Sequence, residues 1–301
     1  MNGIINFLKP PGMSSNGAVG FFKKTLNYKK IGHAGTLDPG ACGVLVVLVG
    51  KATKLSDRLM NGDKEYIGQI TFGIKTDTQD SYGVVLDKDD KIIDQKALAG
   101  VLGQFIGQIQ QTPSRFSAIK INGKKAYQLA RKGQDFKIKS REITIHSLEI
   151  LGHVEKNTFL LKVRCSKGTY IRALFEDIGK KLDTVAYMSF LQRTQSGAFC
   201  AKDAFTCEEV KTLVEEKNLD TFIIKIDQVL ADMPRLDVVI SDLIKISNGL
   251  PSTIANKEKE NMDGQYRVYC KNTLFGIGII ENEKVILKTH LLEEDINEKN
   301  Q

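Results

Sequence analysis

One short segment constrains this chain more than any other. Gly32-His-Ala-Gly-Thr-Leu-Asp-Pro-Gly-Ala-Cys-Gly43 sets four glycines, a proline, a histidine and one carboxylate side by side. It runs straight into the apolar stretch Val44 to Val49, which reads as a buried strand. Glycine clusters permit positive φ and close approach of a ligand to the backbone. The fold must therefore bury a strand and hold a compact loop at its entrance. Asp38 precedes Pro39, which biases it toward extended backbone and fixes the loop locally. Two readings of Asp38 stand open. It caps backbone amides in a tight turn, or it is a carboxylate held at the bottom of a cleft as nucleophile or base.

Around this segment the pattern alternates helix and strand. Ser14 or Ser15 caps a helix running to about Leu26, with Val19, Phe22 and Leu26 on one side. A helix follows from about Lys51 to Met60. Lys64 to Ile74 alternates, with Tyr66, Ile70, Phe72 and Ile74 on one face. Asp87 to Asp90 reads as a turn between two short strands, and a helix follows from about Gln95 to Ile106. Asn122-Gly123 signals a hairpin within Ile119 to Lys125, followed by a short helix from Lys125 to Arg131 that ends at Gly133. Strands are expected at Ile143 to Leu151 and Phe159 to Cys165, then a helix from Tyr170 to Leu182. Several strands look hairpin-linked, so the class is α+β with a mixed, largely antiparallel sheet flanked by helices. A boundary falls near Met233-Pro234. Beyond it, a helix (Ser241 to Asn248) and strands at Tyr266 to Cys270, Leu274 to Ile280 and Lys284 to Leu287 suggest a small β-rich domain. The expected division is 1–232, 233–290 and a frayed acidic tail, 291–301.

Charge narrows the partner. The 301-residue chain has a formal charge of +7. Residues 115–141 hold nine basic side chains and one acid, Asp135, so this block carries +8 and the remainder −1. It lacks the interspersed acids of an ordinary solvated face and contains Phe116, Tyr127 and Phe136. Phosphate contact is the better reading, with Lys124, Lys125, Arg131 and Lys132 as the contacts.

Several classes drop out. The five cysteines form no C-x-x-C pair, which argues against a zinc site or disulfide framework and for a reduced cytoplasm. The first residues, MNGIINFLKPPGMSS, lack a basic region before the apolar ones, so a secretory signal is not expected. The longest apolar run falls far short of the roughly 20 residues of a membrane span. Gly43 to Gly50-Lys51 has the wrong spacing for a phosphate-binding loop, and the four histidines make no metal spacing. His146 and His153 sit in strand patterns as structural residues. A glycosidase built on Asp38 would need a second carboxylate in the same loop. No coiled-coil pattern appears, so a monomer is the default.

The segment GHAGTLDPGACGVLVVLVGKATK resembles the signature of the TruB family of tRNA pseudouridine synthases. The likeness extends over nearly the whole chain, through Phe7 to Ser15, Lys64 to Ile67, Thr76 to Gly83, Gln111 to Lys120, Lys124 to Tyr127, Cys165 to Leu174 and Leu191 to Phe199. Cys42 departs from the threonine more usual there. The resemblance implies a pseudouridine-synthase-type catalytic domain followed by a small PUA-like RNA-binding domain. It implies conversion of uridine 55 in the tRNA T-loop to pseudouridine on an extruded base, with no cofactor and no metal. By the same resemblance Asp38 is the catalytic aspartate and Arg172 its supporting cation. Tyr66, Tyr170 and Leu191 line the uridine pocket, His33 holds the opened T-loop, and Asp80 organises the site. Lys9 and Lys64 are either cations near the site or ordinary solvated lysines. The alternative is a non-catalytic tRNA-binding or folding module on the same scaffold. The presence of Asp38, Tyr66 and Arg172 together argues against that alternative.

Overall fold

The computed structural model describes residues 1–121, 123–258 and 264–292. In chain order the strands before the boundary are β1 (Gly3–Lys9), β2 (Ile31–Ala34), β3 (Cys42–Val49), β4 (Lys64–Phe72), β5 (Ile74–Thr76), β6 (Val85–Lys88), β7 (Gly107–Gln111), β8 (Lys120–Ile121), β9 (Lys124–Lys125), β10 (Arg141–Glu155), β11 (Thr158–Cys165), β12 (Ala186–Ser196) and β13 (Phe199–Cys200). Among the described residues one sheet follows the order β1-β3-β12-β4-β11-β10-β7, with β2 on β3 and β13 on β12. Among the described residues only the β3–β12 strand pairing within this sheet is parallel, so the α+β class with a mixed, largely antiparallel sheet holds.

β3 explains the unbroken apolar run. Val44, Val46 and Leu48 face one cluster, with Ile226, Leu230 and Met233. Leu45, Val47 and Val49 face another, with Phe7, Phe22 and Val210. A strand covered on both faces cannot alternate with polar residues. The helix Ser15–Thr25 packs on the second cluster, and the Ser14 hydroxyl accepts from the amide of Gly17 at 2.9 Å to cap it. Across the sheet, the helices Gln95–Leu102 and Ile171–Lys181 bury Leu98, Leu174, Phe175 and Ile178 against Tyr66, Ile70 and Phe159.

Several expectations need correction. β4 stops at Phe72 because Gly73 adopts φ +87°, where an added Cβ would lie 2.8 Å from the Asp89 carbonyl. Asp87 and Lys88 are not the turn. They belong to β6, paired with β5, and residues 77–84 make the connection. Cross-strand pairing outweighs the turn propensity of the aspartate there. The segment after Val49 is a 3₁₀ helix, Gly50–Leu55, before a short α-helix, Ser56–Met60. Asn122 of the expected hairpin lies outside the described residues, and β8 and β9 pair on either side of it.

After Met233-Pro234 the strands β14 (Arg235–Val238), β15 (Ser252–Lys257), β16 (Gln265–Cys270), β17 (Thr273–Glu281) and β18 (Lys284–His290) close a barrel in the order β14-β15-β18-β17-β16. Its interior holds Leu236, Val268, Phe275 and Val285. Ile277 and Leu291 instead join Ile4, Val44 and Met233, which seats the barrel on the sheet. Leu291 is therefore not part of a frayed tail. It is buried, and its amide donates to the Phe275 carbonyl at 2.8 Å. Residues 293–301 of the expected tail lie outside the described residues. Among the described residues no helix is long and apolar enough to cross a membrane.

Candidate active site

The glycine-rich loop is pinned from three directions. The Ser15 hydroxyl donates to the Leu37 carbonyl at 3.0 Å and accepts from the Leu37 amide at 2.9 Å. The fully buried Lys9 ammonium donates to the carbonyls of Ala41 at 2.6 Å, Met13 at 2.7 Å and Pro10 at 2.8 Å. Burial pushes this amine down to about 8. Arg193, 1% exposed, donates from Nε to the Val44 carbonyl at 2.7 Å, and from its two terminal nitrogens to Thr36 and Gly35 at 3.3 and 3.2 Å. Gly43 makes the seam possible. It adopts φ +106° opposite Arg193 in the parallel β3–β12 pairing, where a Cβ would lie 2.2 Å from the Arg193 carbonyl.

Asp38 emerges from this scaffold against Arg172. Arg172 Nε donates to Asp38 Oδ2 at 2.9 Å and Nη2 to Oδ1 at 3.2 Å, a two-point contact that fixes the carboxylate plane. The same guanidinium donates to the carbonyls of Thr78 at 3.0 Å and Phe116 at 3.3 Å, and lies 3.6 Å from Asp80 Oδ2. Arg172 thus ties together three loops far apart in sequence. Its side chain is 5% exposed while that of Asp38 is 34% exposed, so the cation is the support and the carboxylate faces outward. What it faces is a cavity of about 670 Å³ whose walls include His33, Asp38, Tyr82, Tyr127 and Leu191.

The expected site residues divide into those at the cavity and those behind it. His33, Asp38, Asp80, Arg172 and Leu191 line it, as do Lys125 and Arg131 of the basic segment. Asp80 accepts from the Thr78 hydroxyl at 2.6 Å and the Tyr82 amide at 3.0 Å, which shapes the adjoining wall. Burial first, then the charge of Arg193, holds the His33 imidazole below its ordinary value, and its Nδ1 has no hydrogen-bond partner. Tyr66 lies below the wall, in the buried cluster with Leu37, Ala41 and Leu191, where burial raises its phenol. Tyr170 also stands off the wall. It occupies the position just before the Arg172 helix, with its backbone held at both ends by the Gln111 side chain and Arg141 stacked on its ring at 4.8 Å. Lys124 and Lys132 are exposed outside the cavity. Lys64 is not a solvated cation. It is buried, donates to the carbonyls of Met60 and Gly62, and is pushed by burial to about 8.

Residues 23–171 match the profile described as the TruB family pseudouridylate synthase N-terminal domain, and residues 172–233 match the tRNA pseudouridylate synthase B C-terminal domain. The chain is 39% identical over 292 residues to the tRNA pseudouridine synthase B of Caldanaerobacter subterraneus subsp. tengcongensis, covering 95% of this chain and 97% of that one. It is 42% identical over 287 residues to the protein of that name from Clostridioides difficile, covering 92% and 94%. The chain belongs to the TruB family of pseudouridine synthases. The family's enzymes are isomerases. In fold, this TruB-family chain also matches the crystal structure of an archaeal box H/ACA sRNP Nop10-Cbf5 complex, with a TM-score of 0.71 at 23% identity over 96% of this chain and 86% of that one.

Sequence reasoning missed three supports of this TruB-family site. The sequence marks Ser15 only as a helix cap, and Arg193 and Gln111 only as members of motifs. Each acts through hydrogen bonds to backbone more than 20 residues away, for which a local pattern carries no signal.

Proposed function

We propose that this enzyme isomerises uridine 55 of the tRNA T-loop to pseudouridine, with Asp38 as the catalytic carboxylate and the target base turned out of its stack into the cavity. The observation that carries the reading is the two-point Asp38–Arg172 contact on the cavity wall. In the reaction the bond from the ribose to the ring nitrogen breaks and a bond to a ring carbon forms. That carbon loses a proton and the nitrogen gains one. Atoms and electrons balance within the substrate, so the chemistry calls for no outside oxidant or reductant.

The residues divide the work. A carboxylate in a shielded cleft needs a fixed opposite charge, and Arg172 supplies it. The three roles open to Asp38 are attack on the ribose, attack on the base and removal of a ribose proton. All use the carboxylate that the cavity exposes. Extrusion costs a few kcal/mol of lost stacking, which contacts inside the pocket must offset. Leu191 and Met188 give the extruded base an apolar wall. His33, whose imidazole burial holds below its ordinary value, stands on the wall beside the opened loop. Tyr127, with Lys125 and Arg131 over its ring at 5.8 and 5.6 Å, brings positive charge to the rim for the RNA backbone. Lys124 and Lys132 extend that surface outward. The barrel is assigned an RNA-contacting role of the PUA type.

The test is to incubate the protein with an unmodified tRNA transcript and map pseudouridine. The reading requires modification at position 55, lost in Asp38→Asn while tRNA binding survives. An Asp38→Asn variant turning over near the parent rate removes Asp38 from the chemistry. Binding without pseudouridine in the parent protein would favour the non-catalytic module.

A further inference from the structure

Residues 1–56 contain seven lysines (Lys9, Lys23, Lys24, Lys29, Lys30, Lys51, Lys54) and a single carboxylate, Asp38. They carry +6, and Asp38 is taken by Arg172. The block at 115–141 therefore has a counterpart of comparable charge, balanced by acids elsewhere in the chain.

The fold gathers part of this charge. In a 3₁₀ helix the side chains at i and i+3 eclipse, so Lys51 and Lys54 of Gly50–Leu55 project together. The Gly50 amide donates to the Lys30 carbonyl at 2.7 Å, which brings Lys30 alongside. β18 packs against the same 3₁₀ helix and ends at His290, which lies over Gly249. Among the described residues none of Lys30, Lys51 and Lys54 makes an ion pair with a carboxylate. Burial and then the charges of Lys51 and Lys30 hold the Lys54 amine low. Burial and then Lys54 and Lys51 do the same to His290. The cluster is continuous with the site. β2 begins just after Lys30 and, about 10 Å on, places His33 at the cavity. The Ser56 hydroxyl, one residue past the 3₁₀ helix, donates to the His33 carbonyl at 3.4 Å.

We propose that Lys30, Lys51, Lys54 and His290, at the seam between the sheet domain and the barrel, form a second contact for the RNA backbone, separate from residues 115–141. The inference rests on the tRNA reading above. A polyanion running past the cavity meets the Lys125–Arg131 rim and this seam as two cationic grips. The seam contact draws on both domains, and their packing sets its geometry.

The test uses the full chain with Lys51→Gln and Lys54→Gln together, measuring affinity for an unmodified tRNA transcript across a salt series. Two lost phosphate contacts make the slope of log K against log salt shallower by about 1.8. The paired Lys51→Arg and Lys54→Arg variant keeps the parent slope. A Gln variant with unchanged slope, in a protein whose parent binds the transcript, overturns this inference alone. A parent that does not bind the transcript overturns the tRNA reading and this inference with it. The melting temperature of each variant reports that it is folded.

Discussion

The ammonium of Lys9, on β1, sits 2.6 Å from the carbonyl of Ala41, three residues beyond Asp38. A buried cation thus ends one wall strand and holds the loop that carries the carboxylate. Lys9→Met keeps most of the volume and removes every donor. Loss of a buried charge and loss of its hydrogen bonds oppose each other, so stability shifts by no more than about 2 kcal/mol. Pseudouridine formation is expected to fall at least about tenfold as the loop loosens. Single-turnover rates beside chemical denaturation check it, and a parent-like rate would show that Lys9 does not position Asp38.

Arg172→Lys keeps the charge and loses the planar two-point contact, together with the bonds to Thr78 and Phe116. Lysine cannot reproduce that fork. The rate is expected to drop about a hundredfold, with a smaller effect on tRNA binding. Single-turnover kinetics at saturating enzyme separate the two quantities.

Gly43→Ala and Gly20→Ala make a matched pair. At Gly43 a methyl group meets the Arg193 carbonyl at positive φ, and the expected cost is about 3 kcal/mol. Gly20 lies in the helix Ser15–Thr25 with open space around it, where alanine is expected to add about 0.5–1 kcal/mol. Denaturant midpoints of the two variants should move in opposite directions.

The barrel carries an acid-sensitive element. The Asp242 carboxylate accepts from Lys245 Nζ and from the Thr253 amide, both at 2.7 Å. Lys245 first and then Thr253 hold it down to about 2, against an ordinary 3.8. A carboxyl lowered in the folded state contributes stability that is complete above the unfolded value and is lost as pH falls through the folded one. The contribution should therefore fade between about pH 4 and pH 2. In Asp242→Asn the unfolding midpoint should lose that part of its acid dependence. An identical pH profile in parent and variant would exclude the contribution.

Legibility followed distance along the chain. The run Val44 to Val49 announced a buried strand because burial on both faces is written into consecutive side chains. The Asp38 loop stood out because glycine and proline act on their own backbone. Ala186–Ser196 went unread, although it lies at the centre of the sheet between β3 and β4, because its neighbours come from the other end of the domain. The distribution of charge follows the same rule. Residues 115–141 form a dense run, whereas the lysines of residues 1–56 are spread along helix, strand and loop, and three of them meet only when the 3₁₀ helix closes on Lys30.

The order of amino acids alone marks the loop that carries the reactive carboxylate and the segments that must be buried. Short-range sterics and hydrophobicity act between near neighbours, so both are encoded locally. Folding in three dimensions sets Arg172 against Asp38, turns Lys9 and Arg193 onto the loop, and buries Tyr66 in the core beneath it. Those assignments depend on contacts between segments far apart in the chain. Such contacts exist once the sheet has paired, and no local pattern specifies them.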